Sequence, residues 1–148
     1  MATYPDNQII IAAAIILDAN SRMLVVRKRG TSFFMQPGGK IEAGETPLDA
    51  LCRELREEVA LTIKPDAAAS LGVYSAPAAN ESGKTVVAHV FFASLNDTPI
   101  AAAEIEALLW LDPRAPGDTP LAPLTRDHML PLAHWLASQP FGALTSST

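Results

Sequence analysis
Hydrophobic positions in this chain fall into short runs separated by polar, glycine or proline breaks. The run Ile9–Asp18 is rich in isoleucine and too short for a helix, which predicts a buried strand. Asp18-Ala19-Asn20-Ser21 predicts a turn and Met23–Arg29 a second strand, the pair forming a hairpin. After the break Gly30-Thr31-Ser32, Phe33-Phe34-Met35 reads as a short strand stopped by Pro37-Gly38-Gly39. Thr46-Pro47 marks a helix start, with a capping hydroxyl and proline at the first position; the helix runs to about Val59. Leu71–Ala76 and Thr85–Leu95 predict strands on either side of the turn or loop Asn80-Glu81-Ser82-Gly83, and Ala107–Leu111 predicts another. Pro113 to Pro123 holds four prolines and a glycine and predicts an irregular loop. Arg126–Ala137 predicts an amphipathic helix with Met129, Leu132, Ala133 and Leu136 on one face. Residues 142–148 predict a frayed tail. No repeat or internal linker appears, so the expected architecture is a single α/β domain over residues 1–141.

Composition narrows the function classes. With 148 residues, 49% hydrophobic and 18% charged, the chain can build one core and is not of the disordered type. Eleven Lys and Arg against sixteen Asp and Glu give a net charge of −5, which argues against wrapping nucleic acid or lying on an anionic membrane. The same balance disfavours a polyanionic substrate unless a cation intervenes. The lone Cys52 can form neither an internal disulfide nor a cysteine-based zinc site, which suits a reducing compartment. The longest apolar run, Ile9–Leu17, falls short of the ~20 residues of a membrane helix. The stretch before it carries Asp6 and no Lys or Arg, unlike the basic start of a signal peptide. The expected location is the cytoplasm.

Gly38–Leu61 carries the chemistry. At roughly 100° per residue, Leu48, Leu51, Cys52, Leu55 and Val59 share one helical arc that faces a core, and Cys52 on it is a poor nucleophile. Glu54, Glu57 and Glu58 share a second arc centred roughly 130° away. Like charges three and four residues apart disfavour a helix by about 0.2–0.5 kcal/mol per pair. Either the face is merely solvated, or a hard cation such as Mg2+ sits there.

The neighbouring residues bear on that choice. Gly39, Glu45, Arg53-Glu54-Leu55, Glu57-Glu58 and Leu61 follow the pattern G-x5-E-x7-R-E-U-x-E-E-x-G-U, with U a bulky aliphatic, at eight of its nine fixed positions over 23 residues. This segment resembles the Nudix box of the Nudix (MutT-like) hydrolases, and Met35-Gln36-Pro37-Gly38-Gly39 leading into it is similar too. The one departure is Ala60 in place of glycine. A left-handed residue is common there, and alanine costs roughly 1–2 kcal/mol if that conformation is kept. A locally adjusted helix exit with intact chemistry is expected.

The resemblance implies a Nudix fold: an α/β/α sandwich with a mixed central sheet and a loop-helix-loop motif. It implies hydrolysis of a nucleoside diphosphate linked to a moiety X, at a phosphoanhydride bond, with Mg2+ or Mn2+. It makes Glu57 and Glu58 the main metal ligands and Glu54 a third ligand or an orienter of water. A backbone carbonyl at Gly38 or Gly39 is a further ligand. Arg53 joins the catalytic group and, with Glu45, braces the loop against the helix; Glu45 is also counted on the substrate side. A later glutamate is implied as base or extra ligand, with Glu81, Glu104 and Glu106 as candidates and the last two, ahead of the Trp110 strand, favoured. The partner is a small-molecule nucleotide, and the chain is a monomer or a homodimer.

Arg27, Arg29 and Lys40 are candidate phosphate contacts, and the glycines allow backbone to approach phosphate. Gly38-Gly39-Lys40 lacks the spacing of a P-loop. Phe33, Phe34, Tyr74 and Phe91 read as packing residues ahead of base-stacking ones. His89, His128 and His134 read as structural. Nucleoside triphosphates lead as substrate class. Pro77, sixteen residues past Leu61, resembles a proline of ADP-ribose and other sugar-nucleotide pyrophosphatases, which form the alternative. A nucleotide-sensing module without turnover is the non-enzymatic alternative, opposed by the intact Glu54, Glu57 and Glu58.

Overall fold
Alternation along the central strand decides the layering. In β1 (Gln8–Leu17), Ala12, Ala14 and Ile16 join one buried cluster while Ile15 and Leu17 join another on the opposite face. A strand buried on both faces reads as a continuous apolar run, which is why Ile9–Leu17 shows no polar alternation. The computed structural model describes residues 6–95 and 97–139; the tail expected at 142–148 lies outside them.

The other elements are β2 (Met23–Lys28), β3 (Gly38–Lys40), α1 (Pro47–Val59), β4 (Ala68–Pro77), β5 (Thr85–Ser94), β6 (Ile105–Leu111) and α2 (Leu130–Ala137). The sheet runs β4-β5-β1-β2-β6, with β3 added on β1. β1 lies parallel to β5 along its whole length, and the remaining pairs are antiparallel, so the sheet is mixed. Leu51, Leu55 and Val59 of α1 pack on Ala12, Ala14, Ile16, Leu24 and Val26. Met129, Ala133 and Leu136 at the α2 end pack on the opposite face with Ile15, Val25 and Val90. The result is the expected α/β/α sandwich. Among the described residues no helix is long and apolar enough to cross a membrane.

Two expectations change around β3. β1 and β2 are joined by a turn in which Asp18 Oδ1 accepts the N–H groups of Asn20 and Arg22, both at 2.9 Å. Yet they share only the register pair Leu17↔Met23 and then splay apart. Residues 35–40 fill the gap: Val26 and Met35 exchange N–H···O bonds of 2.8 Å, and Ala14 N–H donates to Pro37 O at 3.0 Å. Phe33-Phe34-Met35 is accordingly not a strand; Phe34 and Met35 make single bridges only. The short strand lies on Gly38–Lys40, opposite Ile11–Ala13. Only glycine fits at 38, because a Cβ there would collide with the Ala12 carbonyl oxygen.

The last helix also differs from the simple amphipathic reading. Its buried face is as expected, but Thr125–Met129 forms a π-helical turn in which Leu130 N–H reaches Thr125 O. Pro131, with no N–H to donate and a ring that crowds the carbonyl four residues back, forces this widening.

The α1 ends are well defined. Thr46 Oγ1 accepts from Asp49 N–H at 3.1 Å and Asp49 Oδ2 accepts from Thr46 N–H at 3.2 Å, a reciprocal cap. At the other end Ala60 keeps the left-handed conformation, φ 57° and ψ 33°, and its N–H reaches Leu55 O. The helix exit is therefore not adjusted for alanine, contrary to the sequence expectation; the flanking buried Val59 and Leu61 hold it in place. Ala60→Gly should stabilise the protein by about 1 kcal/mol. An unchanged or lowered urea midpoint for that variant would show the conformation carries no strain.

Candidate active site
Glu58 is the least ordinary carboxylate in the protein. It lies on α1 but faces the sheet, and it is 3% exposed. Its Oε1 accepts from Gly38 N–H at 3.2 Å, while Oε2 is buried with no hydrogen-bond partner. Burial pushes its pKa up to about 7, against the pull of the Gly38 N–H and Lys28; Glu54 and Glu104 add to the rise. The expected shared arc of three glutamates is thus divided, with Glu58 turned inward and Glu57 exposed. Glu54 lies over Gly39, where a Cβ would run into its carboxyl group. One glycine is required by the β1 backbone and the next by Glu54.

Arg53 ties the loop to the helix. Its Nε and Nη2 donate to Glu45 Oε2 and Oε1, each at 2.8 Å, in a two-pronged pair. Nη2 also donates to Lys40 O at 3.1 Å, and Nη1 to Glu54 Oε1 at 2.7 Å. Glu57 stands 3.8 Å from Nη1. The guanidinium holds the Glu45 carboxyl down to about 2, and Glu45 in turn raises Arg53 above its ordinary range. Both Glu45 oxygens are engaged, so the residue stands as a brace and not as a group turned toward substrate.

A cavity of about 160 Å3 adjoins the glycine strand, lined among others by Ile9, Lys28, Gly38, Gly39, Lys40 and Glu81. It shares Ile11, Met35, Gln36, Ala79 and Val86 with a more apolar cavity of about 70 Å3 that reaches Pro77, Leu124 and Thr125. Thr125 Oγ1 donates to Gln36 Oε1 at 2.9 Å between them. Of the candidate phosphate contacts, Lys40 lines the cavity and Arg27 and Arg29 do not. Arg27 is bound to Glu106 at 2.7 Å, donates to Thr31 O, and lies 5.9 Å over the Phe34 ring. Glu106 is therefore drawn to Arg27, whereas Glu104 pairs with Lys28 at 3.4 Å. Glu81 lines the cavity with its carboxylate on Lys84. Sequence reasoning missed Lys28. Alternation would carry Lys28 onto the face of Leu24 and Val26, but the β2–β6 register shifts just before it, so no pattern in the sequence marked its position.

Among the described residues, no three His, Cys, Asp or Glu side chains are gathered closely enough to hold a metal as they stand. The donor set nevertheless fits a hard divalent cation. Carboxylate and backbone oxygens are what such ions take, and a buried carboxylate oxygen with no donor is stable as an anion only opposite positive charge. Exposed Glu57 is free to turn, and Glu54 is held only by Arg53.

The Glu58 position has a consequence for metal-free protein. The folded state keeps its proton up to about 7, the unfolded chain only to about 4.5. Its contribution is fully present below about 4.5 and is lost as pH rises through about 7. In chelator, the urea stability of wild type should fall by an amount on the order of 3 kcal/mol over that interval relative to Glu58→Gln. Parallel pH profiles for the two proteins would contradict it.

Comparison with known proteins agrees with this geometry. The family profile described as NUDIX domain matches residues 8–136. An ADP-ribose pyrophosphatase of Methanocaldococcus jannaschii is 34% identical over 74 residues, 48% of this chain and 43% of that protein. A CTP pyrophosphohydrolase of Escherichia coli is 30% identical over 121 residues, 78% of this chain and 85% of its own. This chain spans less than half the length of the first curated relatives it matches. A MutT protein structure from Methanosarcina mazei superposes with a TM-score of 0.72 at 18% identity, over 93% of this chain and all of that one. With the box residues assembled around β3 and the profile spanning nearly the whole sheet, the chain belongs to the NUDIX family.

Proposed function
We propose that the protein is a Mg2+-dependent pyrophosphohydrolase that cleaves a phosphoanhydride bond in a nucleoside diphosphate linked to X, with nucleoside triphosphates as the leading class. The observation that carries this reading is the unpartnered, buried Glu58 oxygen held against the glycine strand beside Glu54. Glu57 and Glu58 are the main ligands of Mg2+ or Mn2+, Glu54 is the third or orients water, and a Gly38 or Gly39 carbonyl completes the set. When bound, the cation neutralises diphosphate charge and makes a bound water more acidic.

The chain's own residues do the rest. Arg53 holds the loop through Glu45 and the Lys40 carbonyl. Lys40 offers charge to phosphate at the cavity. Glu104 is a better candidate than Glu106 for base or extra ligand, because its Lys28 partner lines the cavity while Glu106 is drawn to Arg27. The apolar lining beyond Met35 and Gln36 offers a contact surface for part of the nucleoside or X group; the space there, about 70 Å3, is too small to enclose it. Pro77 lines that same cavity, which supports sugar nucleotides such as ADP-ribose as the second reading. The lone, half-buried Cys52 supports placing this activity in the cytoplasm.

The test is a panel of nucleoside triphosphates, ADP-ribose, NADH and dinucleoside polyphosphates with Mg2+, products resolved by 31P NMR. Release of a monophosphate and pyrophosphate from a triphosphate is expected; no cleavage of any member contradicts the reading. Glu57→Gln should fold normally, since Glu57 is exposed, and lose about 10²–10⁴-fold in kcat. Arg53→Ala should lower kcat/KM about 10²-fold by releasing the loop. Unchanged kinetics in the first would remove Glu57 from the site, and in the second would remove the bracing role.

A further inference from the structure
We infer that Lys28 is the residue that takes a substrate phosphate oxygen, and that its ion pair with Glu104 is the contact which the phosphate displaces. The inference rests on the pyrophosphohydrolase reading above. It assigns the anchoring role to a residue whose two arginine neighbours are the more obvious candidates in the sequence.

Three observations carry it. Lys28 lines the cavity together with Gly38, Gly39 and Lys40, and neither Arg27 nor Arg29 does. The β2–β6 register shifts between Arg27 and Lys28, an irregularity of the kind that re-aims a side chain at a sheet end. Lys28 is also poised for exchange. Its Nζ stands 3.4 Å from Glu104 Oε1, with the two side chains 33% and 61% exposed, and a wet pair of that length binds weakly. A phosphate carries more charge than a carboxylate, and a flexible ammonium can swing between the two as a point charge.

The surroundings make such a cation necessary. Glu54 and Glu58 lie against the glycine strand, and Glu104 stands 3.4 Å from Lys28, which lines the cavity there. A diphosphate entering there needs fixed positive charge besides any metal, and Lys28 stands on the Glu104 side of that group. When the phosphate takes Lys28, the Glu104 carboxylate is released for the work proposed for it. One residue then links substrate arrival to the readiness of the base.

Inorganic pyrophosphate, titrated in chelator and followed by the Gly38 and Gly39 amide resonances, tests this without turnover. Wild type should show saturable shifts. Lys28→Met should weaken binding roughly 10–100-fold and Lys28→Arg should retain it. Glu104→Gln should tighten it about 2–5-fold by removing the competitor. No shifts in wild type, equal binding by Lys28→Met, or weaker binding by Glu104→Gln would each overturn the assignment. Thermal melts identify any variant that fails to fold, and Lys28→Gln then replaces Lys28→Met. A wild type that binds pyrophosphate through Lys28 but cleaves nothing in the substrate panel would retire the catalytic reading and leave this one standing.

Discussion
The hydrogen bond from Gly38 N–H to Glu58 Oε1 joins the two halves of the site, and much of the surrounding structure is arranged so that it can form. β1 and β2 splay after a single register pair, which opens room for residues 35–40 inside the sheet. Gly38 then meets β1 with no space for a Cβ, and α1 lies directly across from it. The cost is a carboxylate kept from water with one oxygen unsatisfied. A folded protein retains such a group where a function uses it, and a divalent cation is the partner that would relieve it.

Charge is distributed around that contact by division of labour among the acids. Glu45 is neutralised by Arg53 and held far below neutrality, so it acts as a strut. Glu54 shares the same guanidinium and covers Gly39, Glu57 faces solvent, and Glu58, buried with one oxygen unpartnered, has its pKa pushed up to about 7. The net charge of −5, at first sight unsuited to a polyanionic substrate, is partly this concentration of acids around one basic brace. Lys28 and Lys40 supply the positive side of the cavity.

Much of this was legible in the residues, and the exceptions are instructive. The box spacing placed Arg53, Glu45 and the glutamates on one loop and helix, and the cap at Thr46 was visible as Thr-Pro. β1 was readable because its run was apolar throughout. The three-residue strand on Gly38–Lys40 was not, since glycine has neither propensity nor periodicity to show; tertiary pairing with β1 creates it. The inward turn of Glu58 was present in the spacing but masked by its charge. At roughly 100° per residue Glu58 falls about 20° from Leu51 and about 100° from Glu57, so the arc of the three glutamates overlaps the edge of the core arc. The π-helical turn was signalled by Pro131 within an otherwise regular pattern. Lys28 was overshadowed by two flanking arginines, and the register shift beside it breaks the two-residue period that would have placed it.

The proposed divalent-metal site rests on Glu58 and the glycine strand. Its most direct test is a Mn2+ titration read by electron paramagnetic resonance of the free ion, comparing wild type with Glu58→Gln. Wild type should bind the ion, and the variant should bind it at least about 10-fold more weakly. Equal binding by the two proteins would contradict the account.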